Sequence, residues 1–313
     1  MPTTLQMLAL RLRRFGKRTL ATLVGWLTVG LLHVVRWTNA DTMADFAGWL
    51  MRKVGPWLRE HRIGRANLAA AYPDKSATEI EKILSGVWDN LGRVGAEFAH
   101  LDSLWDFDTA QPNIGRMQIA PRTTELFDGL RDDGKPALIF AAHLANWELP
   151  ALAAAAHGLE AAILYRRPNI ADIDRRVHEL RGVSMGTLIP TGLNAPREAL
   201  EALQQGLHVA TLADQYAVQG VDVMFFGRRT KANSFIARLA RHIDCPIHGV
   251  RVIRLPERCF QIELTEAVSP PRNPNGELDV QGTMQAITTV IEGWVREHPD
   301  QWLWLHRRWR GSV

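Results

Sequence analysis

Apolar and polar positions follow two different rhythms along the chain. From 41 to 100 the apolar residues recur at helical spacing. Asp41 is placed to cap a helix running through Trp49, and Ser76-Ala77-Thr78-Glu79 reads as a capping box that opens a helix to about Ala99. A polar connector containing Pro and Gly, 101–121, ends this part. Beyond it, short apolar runs alternate with helical stretches. The runs predict strands over 136–142, 161–165, 208–212 and 247–255, with 261–265 as an antiparallel edge strand. Helices are predicted over 123–131, 148–157, 172–181, 196–205 and 234–242. That alternation implies an α/β fold, a mixed, largely parallel central sheet flanked by helices. The division expected is 1–40 as a basic and apolar membrane anchor, 41–121 as a helical part with its connector, and 122–313 as the α/β domain.

The anchor is inferred from Arg11, Arg13, Arg14, Lys17 and Arg18, which precede an apolar run over 20–35 that is interrupted by His33 and closed by Arg36 and Trp37. The run is longer than most signal-peptide cores and shorter than the roughly 20 residues that cross a bilayer comfortably. It predicts a helical, membrane-associated N-terminus that dips into or barely crosses one bilayer, with a buried core helix as the alternative. Basic residues on both sides, Arg36, Arg52, Lys53 and Arg59 among them, leave its orientation open.

Charge and composition sharpen the picture only in part. The chain has 37 Lys and Arg against 33 Asp and Glu, and a pI near 9.3 suits nucleic acid, anionic lipid or a phosphorylated substrate alike. There are 11 Trp against 3 Tyr, and three of those indoles fall in the run from Trp302 to Arg310, interleaved with arginines. Such a mixture fits a membrane interface; a structural edge segment is the alternative. Stacking on nucleic acid is disfavoured, because no recognised nucleic-acid module surrounds the cluster. The two cysteines, Cys245 and Cys259, are too few for a disulfide framework and form no CxxC pair for zinc. Both read as small buried hydrophobes.

The sharpest chemical signal follows the strand at 136–142, which runs into His143-Leu144-Ala145-Asn146-Trp147-Glu148. In an α/β sheet, ligands gather beyond the carboxyl ends of the strands. Asn146 is a good N-cap, which predicts Trp147 and Glu148 in the first helical turn, with the Glu148 carboxylate folded back on the imidazole. A hydroxyl is a poor nucleophile until a base takes its proton. Histidine suits that task, with an unperturbed pKa of about 6.5, and a carboxylate on its other nitrogen fixes the tautomer and stabilises the imidazolium. A chain of this composition contains about one H-x4-[DE] spacing by chance, so the strand before and the cap after carry the inference. From the residues alone three roles stay open: catalytic base, satisfied structural histidine and metal ligand. The last is disfavoured because no second His or Cys lies at ligand spacing nearby.

The His143 to Glu148 segment, following its apolar strand, resembles the H-x4-[DE] motif of the lipid A biosynthesis acyltransferases, the late acyltransferases of Gram-negative envelopes. Three further segments resemble the same family in order and spacing: Tyr165-Arg166-Arg167-Pro168-Asn169; Ala213-Asp214-Gln215 with Phe225-Phe226-Gly227; and His298 to Trp309, the most specific. The resemblance spans nearly the whole chain. It implies transfer of a fatty acyl chain from an acyl-carrier-protein thioester to a hydroxyl of a phosphorylated, Kdo-bearing lipid A precursor. His143 would be the general base, oriented by Glu148. It also implies the cell inner membrane with the active site on its cytoplasmic face; no cofactor, metal or nucleic acid is expected.

Among the supporting residues, the resemblance favours Arg166 as the phosphate clamp, because a guanidinium pairs with phosphate through a planar fork. Asp214 is expected to orient Arg166 or bind an acceptor hydroxyl, with capping of the next loop as the plainer reading. Arg307 and Arg308 are expected to bind substrate. The apolar stretch 223–227 lines an acyl slot or forms a core strand, and Arg228, Arg229 and Lys231 suit a surface beside anionic lipid. Two other functions stay open: an acyl-CoA-dependent acyltransferase for another glycolipid or glycerophospholipid, and a non-catalytic membrane scaffold that binds lipid.

Overall fold

A computed structural model of the protein describes residues 22, 25–108, 115–168, 170–182 and 185–310. Its strands are β1 (Met117–Ile119), β2 (Leu138–Ala141), β3 (Ala161–Tyr165), β4 (Thr187–Pro190), β5 (His208–Leu212), β6 (Tyr216–Phe225), β7 (Arg228–Ala232), β8 (Ile247–Arg254) and β9 (Phe260–Leu264). Its helices are α1 (Ala40–Val54), α2 (Arg59–Ala71), α3 (Ala77–Glu97), α4 (Leu101–Leu104), α5 (Pro121–Asp132), α6 (Leu149–Ala156), α7 (Ala171–Gly182), α8 (Ala195–Gln204), α9 (Phe235–His242) and α10 (Val280–Glu297). A further helical stretch covers 25–36.

Seven strands form one sheet in the order β1-β9-β8-β2-β5-β3-β4, and β6 pairs with β7 as a separate hairpin. The block β8-β2-β5-β3-β4 is parallel throughout. The sheet is mixed because β9 runs antiparallel to β8 and β1 lies parallel to β9. β9 is therefore not the edge strand that its position predicts: β1, from within the connector, covers it. β1 has three residues, too few for alternation to be legible.

Strand β2 is apolar throughout because both of its faces are buried. Leu138 and Phe140 point into one core with Leu68 of α2, Leu84 and Trp88 of α3, Trp294 of α10, Trp302 and Trp304. Ile139 points into the other, with Phe127 of α5, Leu149 and Leu152 of α6, and Val250 of β8. The N-terminal helices and the sheet thus share a core. Trp302 and Trp304 are completely buried, so these indoles form an internal wall and not a membrane face. Cys245 and Cys259 are half-buried.

Helix α3 opens on the expected box: Glu79 N–H donates to Ser76 Oγ at 3.3 Å, and Ser76 N–H donates to Glu79 Oε2 at 2.8 Å. The cap of α1 is Asn39, whose Oδ1 accepts from Thr42 N–H at 3.0 Å. Asp41 is the second residue of the helix and pairs with Arg116 at 2.9 Å, so the capping role predicted for it falls to Asn39, two residues earlier. The outward faces of 25–36 and α1 carry Trp26, Leu27, Leu31, Phe46 and Trp49 exposed, followed by Trp57. Among the described residues no helix is long and apolar enough to cross a membrane. The basic residues 11–18 and the start of the apolar run lie outside the described residues.

Helix α1 is seated on α3 through small residues. A Cβ built on Gly92 would lie 2.3 Å from the Ala47 carbonyl oxygen, a backbone atom that cannot step aside. Gly92→Ala is expected to destabilise the protein by about 1–3 kcal/mol, the usual cost of overpacking, read as a lower urea midpoint at unchanged slope. An unchanged midpoint would mean that α1 is not held against α3 at this closeness.

Candidate active site

Neighbouring strands β2 and β5 pair Ala141 with Leu212. Two residues past each partner, His143 and Asp214 therefore emerge side by side at the carboxyl ends of the strands. His143 Nδ1 donates to Asp214 Oδ1 at 2.8 Å, and the His143 backbone N–H donates to Oδ2 at 2.9 Å. Trp302 Nε1 donates to the same Oδ2 at 2.8 Å. Asp214 is buried. Burial alone would raise its pKa, but the charge and hydrogen bonds of His143 outweigh that and hold it well below the usual carboxylate range. For His143 the balance is reciprocal. Burial pulls its pKa down, yet Asp214, by charge and by hydrogen bond, and then Glu148 raise it above the ordinary histidine value.

In the structure Glu148 hydrogen-bonds Arg181 and not the imidazole. Helix α6 begins at Leu149, so Trp147 and Glu148 sit in the turn before it and not in its first turn. There Glu148 is gripped by Arg181 of α7, with Nε donating to Oε2 at 2.8 Å and a terminal nitrogen donating to Oε1 at 2.5 Å. Asn146 does organise the turn: its Oδ1 accepts from Glu148 N–H at 3.2 Å and its Nδ2 donates to Glu97 Oε2 at 2.8 Å. Ala145 has a φ of +45°, a left-handed conformation that costs a non-glycine residue about 1–3 kcal/mol. It persists because both its polar groups are tied: Ala145 N–H donates to Gln301 O at 3.0 Å, and Asn90 Nδ2 donates to Ala145 O at 3.1 Å. Leu303 N–H donates to His143 O at 3.0 Å. Below the turn, Arg254 binds the buried Glu97 at 2.5 and 2.9 Å and Asn90 Oδ1 at 3.0 Å. The sequence gives no local signal for Asn90, Glu97, Arg181 or Arg254, whose partners lie tens of residues away.

A cavity of about 710 Å³ opens beside His143. Glu148, Arg166 and Arg181 stand with His143 at its polar end. Its deeper wall is apolar, from Ile139, Ile163, Ala210 and Val250 of the sheet to Phe127, Leu130, Ala151 and Ala154 of α5 and α6. Both ends of β3 (Ala161, Tyr165) and of β5 (His208, Leu212) line it. It therefore follows the strands for four steps, about 13 Å at about 3.3 Å per residue. His208, at the far end, accepts from Ala137 N–H at 3.1 Å, and burial lowers its pKa.

Arg166 is exposed on the cavity rim. Arg307 is exposed but does not line the cavity. Arg308 does not line the cavity either. It is 1% exposed, donates to Lys231 O at 2.9 Å and Thr230 Oγ1 at 3.2 Å, and stacks on Phe225 at 4.8 Å. Burial brings its pKa down to about 10. Asp214 is likewise buried, with its carboxylate bound to His143 and Trp302. Of the two readings of 223–227, the core strand is the observed one: Val223, Phe225 and Phe226 are buried, and Phe225 packs on Trp302 at 5.6 Å. Among the described residues no group of three His, Cys, Asp or Glu side chains is arranged to hold a metal ion.

Comparison with known proteins returns one family. The model of that family, described as bacterial lipid A biosynthesis acyltransferase, matches residues 13–311. No curated protein matches the chain.

If Asp214 both orients His143 and stabilises its imidazolium, Asp214→Asn should lower turnover by roughly 10²- to 10⁴-fold. Losing the carboxylate charge should also lower the His143 pKa, so the residual activity should keep its base form to lower pH than in the parent. A pH–rate profile with an unshifted acid limb and near-full turnover would remove Asp214 from the chemistry.

Proposed function

Since the chain belongs to the bacterial lipid A biosynthesis acyltransferase family, we propose that it carries a fatty acyl group from an acyl-carrier-protein thioester to a hydroxyl of a phosphorylated lipid A precursor. The observation that carries this reading is a polar dyad, His143 with Asp214, standing at the mouth of an apolar cavity about 13 Å long, the rise of about four strand residues. A hydrocarbon chain fits such a channel, and its thioester carbon is then left at the polar end beside His143. A scaffold that only bound lipid would have no use for a charged dyad at that point.

The chemistry follows from the two ring nitrogens. Nδ1–H is committed to Asp214, so Nε2 takes the proton of the acceptor hydroxyl as its oxygen attacks the thioester carbonyl. The new C–O bond gives a tetrahedral oxyanion. Its collapse breaks the C–S bond, and the departing thiolate takes the proton back from Nε2. The acceptor is itself the nucleophile, so no acyl-enzyme forms. Asp214 stabilises the transient imidazolium. Arg166, on the rim, holds an acceptor phosphate. Glu148 contributes negative potential at His143 while anchoring Arg181. Of the three arginines and one aspartate expected at the substrate, Arg166 keeps that role, whereas Asp214 serves the base.

The proposed location is the cytoplasmic face of the inner membrane, where a carrier protein can reach the site. The exposed indole and apolar faces of 25–36 and α1 support a seat in the plane of the interface, as amphipathic helices adopt. Basic residues nearby, Arg52 and Lys53 in the last turn of α1, favour an anionic leaflet.

The test is incubation of the purified protein with a panel of acyl-carrier-protein thioesters and the acceptor, read by mass. One chain-length optimum is expected, and His143→Ala should lose roughly 10²- to 10⁴-fold in rate while keeping the fold. Near-full activity in that variant would exclude His143 as the base, and acyl-CoA thioesters working as well as carrier-protein thioesters would exclude the donor assignment.

A further inference from the structure

With Nδ1 bound to Asp214, Nε2 of His143 is the nitrogen that meets substrate, and it already has a neighbour. The side-chain Nε2 of Gln215, the residue after Asp214, lies 3.3 Å from it. Gln215 is exposed and lines the same cavity. An amide nitrogen can only donate, so this contact is satisfied when His143 is neutral, with its proton on Nδ1 and a lone pair on Nε2. We propose that Gln215 is a positioning residue that holds His143 in this neutral tautomer, lone pair turned into the cavity, until the acceptor hydroxyl displaces it. This rests on His143 acting as the base.

The need for such a residue comes from the charges around the imidazole. Asp214 at the end of β5 and Glu148 before α6 both favour the imidazolium; Arg181 of α7 opposes it. His306, on the C-terminal segment, also faces the pair. Burial brings its own pKa down to about 4, and its Nδ1 donates to Leu303 O at 2.9 Å, so it is a neutral neighbour near pH 7. The carboxylates dominate, and an imidazole already carrying a proton on Nε2 cannot accept another. A donor aimed at Nε2 opposes that loss without adding charge, because an Nε2–H would confront an amide N–H. The acceptor hydroxyl then replaces one donor by another, so the base meets its substrate with no hydrogen bond lost. The β2–β5 register that sets Asp214 against Nδ1 thus brings the next residue to Nε2. Trp147 walls the ring, its centroid 5.2 Å away.

The test is ring-nitrogen NMR of His143 in the full-length protein without substrate, its signal assigned by loss in His143→Ala, alongside pH–rate profiles. Gln215→Ala removes the donor and should raise the His143 pKa. Gln215→Glu puts an acceptor against Nε2–H and should raise it further, by about one pH unit or more. The acid limb of kcat/KM should move in the same order, with activity lost near neutrality recovered at alkaline pH and the thioester KM changed less than about threefold. Superimposable titrations in all three proteins would overturn the proposal, as would losses in both variants that alkaline pH does not restore. The NMR arm needs no turnover, so a wild-type protein without acyl transfer would sink the function while leaving this contact to be judged by its titration.

Discussion

A buried carboxylate can stay ionised only where donors surround it, because removing an isolated charge from water costs several kcal/mol. Asp214 meets that condition by drawing three parts of the chain together: its own strand end, the strand end that carries His143, and the C-terminal segment through Trp302. Removing any one donor leaves the charge short of a partner. The His143–Asp214 pair is therefore a structural joint, and its geometry is inherited from strand pairing.

The rest of the site is arranged around that joint. The segment from Gln301 to His306 lies beneath the His143 turn, exchanging backbone hydrogen bonds with His143 and Ala145 and receiving two more from Asn67 of α2. The Glu97–Arg254 pair ties the turn to α3 and β8. Strain at Ala145 is held by Asn90 and Gln301, which also hydrogen-bond each other. These ties set the position of Nε2 relative to the cavity. Helix α1 couples an exposed apolar face to the same core through α3.

Local patterns revealed the elements whose code is local. The strands at 161–165 and 208–212 match their observed bounds, the Ser76 box caps α3 as expected, and the strand running into His143 is where periodicity puts it. β1 and β4 are three and four residues long, below the length at which alternation is readable, and β1 hides inside a connector. His143 was legible from its position at a strand end. Its partner was not: Glu148 is close along the chain and Asp214 is brought close only by parallel pairing across 71 residues. Arg308 shows the converse. An arginine in an indole-rich, basic run reads as a surface group, yet carbonyl and hydroxyl acceptors with an aromatic face let it lie in the core.

Whether His143 and Asp214 act as one unit is read from a double-mutant cycle on turnover. Residues that work through each other lose their effects together, so His143→Ala with Asp214→Asn should be about as slow as His143→Ala alone. Losses that multiply in the double variant would show instead that Asp214 acts independently of the imidazole.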